Sequence, residues 1–172
     1  IMCSIPIFLA GFVEDINKNV RPIIRLSLAF ISGIIFILVT DYKIERIDLF
    51  PADYLLSMYI VALIFTTFCI GGVVNSINII DGFNGLASGS LIIMLTTFSY
   101  LSFSIGDIEL MNLCLVFTAI IFGFFIFNFP YGKIFLGDGG AYFCGFVLVT
   151  IAIMLPSRNP NLSPWLSLLV CA

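Results

Sequence analysis

Three short segments hold the residues of this chain that could do chemistry: GFVEDINKNVRP at 11–22, NSINIIDGFNGLASG at 75–89 and FNFPYGKIFLGDGGAYFCG at 127–145. The first carries the adjacent carboxylates Glu14 and Asp15, followed by Arg21 and Arg25 one helical turn apart. The second repeats Asn75, Asn78, Asp81 and Asn84 at a spacing of three, which on a helical turn lines four polar side chains along one face. The third holds Asn128, Lys133 and Phe135, then Asp138 between glycines at an expected helix start. Clustered carboxylates among amides and cations suit a hard ion such as Mg²⁺, which binds through one or two carboxylates plus substrate phosphates. Mn²⁺ prefers the same oxygen donors. The chemistry this predicts is metal-assisted phosphoryl transfer, in which charge neutralisation and in-line positioning supply most of the catalysis. Plainer readings stand beside it. Glu14, Asp15 and the arginines read equally as solvated loop charges and snorkelling side chains, 75–89 as a turn rich in Asn, Asp and Gly, and Asp138 as a helix N-cap.

What positions these segments is membrane-spanning helix. Of the 172 residues, 61% are hydrophobic and only 10% charged, with mean hydropathy +1.20, whereas soluble domains carry about 25% charge. A net charge of −3 removes the basic footprint that nucleic-acid binding needs. With no histidine, and five cysteines set singly inside apolar runs, zinc and copper are poor candidates. A span needs about 20 mostly apolar residues, and 22–40, 54–74, 86–105, 110–129 and 141–156 supply five. Lipid leaves backbone groups unsatisfied unless they bond within the segment, so the expected fold class is an all-α, polytopic transmembrane helical bundle. A first helix is expected to end near Gly11, with Pro22 opening the next. The apolar ends read as further helices cut at both termini, and 1–172 as a single integral-membrane domain. Each span moves the chain to the opposite face, so the three polar segments fall on one face, here side A. It holds Lys18, Arg21, Arg25 and Lys133, against Lys43, Arg46 and Arg158 on side B, which points to side A as cytoplasmic.

Together the three segments resemble the polyprenyl-phosphate N-acetylhexosamine-1-phosphate transferases, the MraY/WecA-like glycosyltransferase family 4. GFVEDINKNVRP is similar to that family's Gly-x-x-Asp-Asp loop, NSINIIDGFNGLASG to its Asn-x-x-Asn-x-x-Asp-Gly-x-Asp-Gly loop, and FNFPYGKIFLGDGG to its Asn-x-Pro-to-Gly-Asp-x-Gly loop. The resemblance implies transfer of a sugar 1-phosphate from a UDP-N-acetylhexosamine to undecaprenyl phosphate at the cytoplasmic face of a bacterial inner membrane, with release of UMP. Such a step initiates O-antigen, capsule or teichoic-type polysaccharide. It further implies Asp138 and Asp81 as metal-site carboxylates, Asp15 beside Glu14 as base or nucleophile, Asn75 and Asn78 along the diphosphate, and Asn128, Lys133 and Phe135 around the nucleoside. Arg21 and Arg25 are expected at the lipid phosphate, and a homodimer is an admissible assembly. Two residues depart from the family pattern: Glu14 stands for the first Asp of the pair, and Asn84 for the second Asp of the Asp-Gly-x-Asp-Gly run. Both departures lean towards the initiator branch over a phospho-MurNAc-pentapeptide transferase of peptidoglycan synthesis. A transporter would place its acids near the bilayer midplane, whereas these lie at segment ends. An inactive lipid-binding homologue is the remaining rival.

Overall fold

The computed structural model describes residues 2–171; Ile1 and Ala172, the ends of the expected domain, lie outside the described residues. After a 3₁₀ turn at Met2–Ser4 the described residues form eight helices: α1 (Ile5–Asn17), α2 (Pro22–Thr40), α3 (Ala52–Leu56), α4 (Tyr59–Ile80), α5 (Leu86–Ser104), α6 (Ile108–Asn128), α7 (Gly137–Arg158) and α8 (Pro164–Cys171). Five of them, α2 and α4 to α7, are long and apolar enough to cross a membrane. The expected spans are all present, with shifted ends. Helix α4 runs from 59 to 80 rather than 54 to 74, because Asn75 and Ser76 bond back to the carbonyls of Gly71 and Gly72 and the polar turn stays helical. Helix α1 continues through Gly11 to Asn17, so Glu14 and Asp15 sit on its last turn instead of in a loop. Helix α7 starts at Gly137, earlier than its apolar run suggests, since a glycine-rich start reads as loop in sequence.

Helix α7 is the axis of the bundle. Of its most apolar stretch 72% is buried, against 22–39% for the other four spans, whose outer faces meet lipid. On one side Phe36, Ile37, Ile70 and Val74 from α2 and α4, with Ile7 from α1, pack on its Tyr142, Phe146 and Val149. On the other, Leu91, Leu95 and Phe98 of α5 and Leu110, Cys114 and Phe117 of α6 pack on Leu148, Ile151 and Leu155. Close helix approach replaces hydrophobic driving force inside lipid, and small residues permit it. A Cβ on Gly145 would lie 3.0 Å from the Val74 Cα, and one on Gly11 only 2.5 Å from the Gly139 nitrogen. The side B loops are tied down by polar contacts: Arg158 reaches Asp107 at 3.1 Å and Glu109 at 2.8 Å, and Arg46 bonds the carbonyls of Pro160 and Leu162.

Candidate active site

The last turn of α1, the C-terminal turn of α4, the 81–85 turn, the 129–136 loop and the first turn of α7 meet at side A. The Gly11 to Gly139 crossing brings the end of α1 against the start of α7, and this positions Asp15. Its carboxylate accepts the backbone N–H groups of Asp138 at 2.8 Å and Gly139 at 3.0 Å, satisfying two of the donors that a helix start leaves open and placing negative charge at the positive end of the helix dipole. Asp138 is the second residue of α7; the N-cap position belongs to Leu136. Asp138 Oδ1 accepts from Asn78 Nδ2 at 2.9 Å, and Oδ2 from Arg25 Nη1 at 2.7 Å. Glu14 stands 4.0 Å from that same nitrogen, and its other oxygen accepts the Val20 N–H at 2.7 Å, closing the turn between α1 and α2.

Asp81 follows the last residue of α4 and has no hydrogen bond or ion pair among the described residues. Burial, reinforced by the negative charge of Asp138, pushes its pKa up from 3.8 to about 6. Two carboxylates that repel each other across a half-buried site fit a divalent ion. No group of three or more acidic, Cys or His side chains that could hold a metal ion occurs among the described residues, which leaves the Asp81 and Asp138 carboxylates as the donors a divalent ion would find here. The raised pKa also fixes a sign for pH dependence. Between about pH 4 and 6 the folded protein keeps a proton on Asp81 that the unfolded chain has released, so in the absence of cation this residue's contribution to stability is present below pH 4 and lost as pH rises through about 6. Thermal unfolding of cation-free protein in detergent should therefore show a wild-type minus Asp81→Asn difference that falls across that window. A flat difference would contradict the placement.

The second and third segments are clasped together. Asn128, buried at the end of α6, accepts the Gly85 N–H through Oδ1 and donates to the Ile134 carbonyl at 2.8 Å. Asn84 donates to the Pro130 carbonyl at 3.2 Å, a bond an aspartate could not make. Asn128 is thus a structural clasp, fully engaged by backbone. Asn128→Ala removes both bonds, to the half-buried Gly85 N–H and to the carbonyl of exposed Ile134, and should cost about 1 kcal/mol, read as a lowered unfolding temperature, while Asn128→Asp, which keeps the acceptor, should lose less. Of the other predicted residues, Phe135 is 77% exposed and Lys133 exposed on the 129–136 loop, open towards solvent on side A. Asn75 bonds its own helix. Arg21 is exposed at the N-cap of α2, ahead of Pro22. A groove between α2 and α4, lined by Leu26, Phe30, Phe68 and Gly71, runs up to Pro22 and Asn75. The larger cavity opens on side B between the 41–47 loop and α8, at the opposite membrane face.

Sequence reasoning did not reach three of these features: the two backbone bonds of Asp15, the arginine on Asp138, and the clasping role of Asn128. The signals available were Gly11 and Gly139, small residues on two segments whose polar ends must meet, and an arginine one turn inside α2.

The chain is similar to known proteins over most of its length. The family described as "Glycosyl transferase family 4" matches residues 1–156. A phospho-N-acetylmuramoyl-pentapeptide-transferase of Streptococcus uberis is 33% identical over 154 residues, covering 84% of this chain and 45% of the relative. One from Streptococcus pneumoniae is 30% identical, covering 86% and 47%, and one from Streptococcus thermophilus 28%, covering 84% and 45%. The chain spans just under half the length of these relatives.

Proposed function

The chain belongs to glycosyl transferase family 4, and on that premise we propose that the full-length protein transfers a sugar 1-phosphate from a UDP-sugar to a polyprenyl phosphate, releasing UMP and leaving a lipid diphosphosugar. The observation that carries the reading is that three separate segments converge on Asp138: Asp15 holds its backbone N–H, Arg25 and Asn78 its carboxylate, and Asp81 lies close enough to feel its charge. A Mg²⁺ ion, for which Mn²⁺ would substitute, bound by Asp138 and Asp81 would neutralise the donor diphosphate and make UMP a better leaving group. The remaining work falls to the chain. Asp15, fixed on the start of α7, is the carboxylate that takes the acceptor's proton or attacks the diphosphate. Asn75 and Asn78 line the diphosphate, and Phe135 and Lys133 stand open to the nucleoside, with Asn128 and Asn84 holding their loop in place. The α2–α4 groove accepts the isoprenoid tail from lipid, delivering its phosphate beside Arg21 and Arg25. The cytoplasmic face of a bacterial inner membrane is the location we propose for this site, supported by four Lys and Arg on side A against three on side B.

For the donor we propose a UDP-N-acetylhexosamine, as used to initiate O-antigen, capsule or teichoic-type polysaccharides. It is supported by Asn84, which turns a carboxylate near the nucleoside into an amide bound to Pro130, and by Glu14, whose added methylene reaches the Val20 N–H. The names of the relatives favour a second reading, a UDP-MurNAc-pentapeptide donor. Both are decided by one assay: full-length protein in detergent with undecaprenyl phosphate, Mg²⁺ and a panel of radiolabelled UDP-sugars including the muramoyl pentapeptide, beside Asp138→Ala. Lipid-phase label from a UDP-N-acetylhexosamine that needs Mg²⁺ and disappears in the variant supports the first reading. Label only from the pentapeptide donor supports the second, and no label from any donor on folded protein would leave lipid binding or transport.

A further inference from the structure

Asp138 does not wait for a metal ion with its oxygens free. Oδ2 already holds Arg25 Nη1 at 2.7 Å and Oδ1 holds Asn78 at 2.9 Å, so an arriving cation meets a guanidinium in the place of positive charge. Arg25 is itself incompletely satisfied. It bonds Asp138 through one nitrogen rather than with the two-pronged fork that arginine makes to a carboxylate, has Glu14 at 4.0 Å and the Tyr142 hydroxyl beside it, and its Nε is buried without an acceptor. A buried N–H of a charged group lacking a partner is costly, and a phosphate, with several oxygens matched to the guanidinium fork, relieves that cost better than a second carboxylate contact would.

We propose that Arg25 is the resident counter-cation of this site, a positioning residue that holds Asp138 in the absence of ligand and transfers to a substrate phosphate when a divalent ion takes its place. The inference rests on the metal-site reading above and deepens it. Its consequence is coupling: an ion alone displaces Arg25 towards Glu14, 4.0 Å away and already bonded to the Val20 N–H, whereas ion and phosphate together give the guanidinium an anion matched to its fork. Each should therefore tighten the other by the same factor, so the site binds cation weakly until a nucleotide phosphate is present.

The test is a Mn²⁺ titration followed by the electron paramagnetic resonance of free Mn²⁺, on full-length protein in detergent, with and without UMP. Wild type is expected to bind Mn²⁺ weakly alone and about tenfold more tightly with UMP. Arg25→Gln should bind Mn²⁺ about tenfold more tightly than wild type without UMP and gain little from its addition. Arg25→Lys, which keeps the charge on Asp138 but not the fork, should bind weakly alone and lose most of the UMP effect; it serves as the test if the glutamine variant does not fold. Arg25→Gln binding no more tightly than wild type in the absence of UMP, or Arg25→Lys retaining full coupling, overturns the proposal. Asp138→Asn separates the two levels. Loss of Mn²⁺ binding there with Arg25→Gln unchanged overturns the counter-cation role alone, whereas Asp138→Asn binding as wild type overturns the metal site and this inference with it.

Discussion

Replacing Gly11 by valine in the full-length protein is expected to lower the thermal unfolding temperature sharply and to abolish sugar-phosphate transfer at every temperature where the variant remains folded. A Cβ at this position would fall 2.5 Å from the Gly139 nitrogen and 2.6 Å from the Asp138 carbonyl carbon. These are backbone atoms of a helix packed on both sides, so they cannot swing away as the end of a side chain would. Helix α1 has to lift instead. The reverse approach is nearly as tight: a Cβ on Gly139 would sit 3.1 Å from the Phe12 nitrogen. Overpacking of this kind typically costs about 1–3 kcal/mol, and loss of the Asp15 contact at the start of α7 adds about 1 kcal/mol more. The functional loss should exceed the loss of stability, because lifting α1 carries Asp15 off two N–H groups and frees Asp138 to turn. Gly11→Ala should fall between. Wild-type unfolding temperature and transfer rate in Gly11→Val would show that the two helices do not cross here.

The architecture was legible because composition and segment length decide it: an apolar run of this length in lipid has few choices besides helix. Polar content decided the helix ends less well. Asn75 and Ser76 read as turn residues, yet each bonds the carbonyl four residues back and prolongs α4, and GDGG reads as loop while it forms the first turn of α7. The site was legible as a set of residues sharing a face, since parity of crossings assigns the face. Their division of labour was not. Asn128 differs from Asn78 only by being buried between two loops, and burial depends on the path of the 129–136 segment. Arg25 looked like an interfacial cation because the residue it meets, Asp138, lies more than a hundred positions away. The conformation of Gly137, at φ +71 and facing Asp15 so closely that a Cβ would lie 2.8 Å from Oδ2, explains why glycine precedes the acid: any side chain there would be strained and would push Asp15 out of place.

Asp15 is where position and chemistry are hardest to separate, and its substitutions are expected to have the second large effect. Asp15→Asn keeps shape but presents an NH₂ group to one of the two N–H donors of α7, so one bond becomes a donor facing a donor. The variant should unfold about 1–2 kcal/mol more easily and lose transfer by about a thousandfold or more, the scale at which loss of an essential proton-transfer or nucleophilic group is felt. Asp15→Ser separates the causes, since its hydroxyl, one bond shorter than the carboxylate, still offers the α7 N–H groups an acceptor, yet is no base near neutral pH and carries no charge. Stability restored towards wild type with transfer still absent would assign Asp15 to the reaction itself, with the cap as its means of alignment. Transfer regained together with stability would make Asp15 a structural clasp and move the chemistry to Asp138 and Asp81. The geometry favours the first outcome: each Asp15 oxygen accepts one N–H and keeps a lone pair for a substrate, on the only carboxylate of the cluster held entirely by backbone.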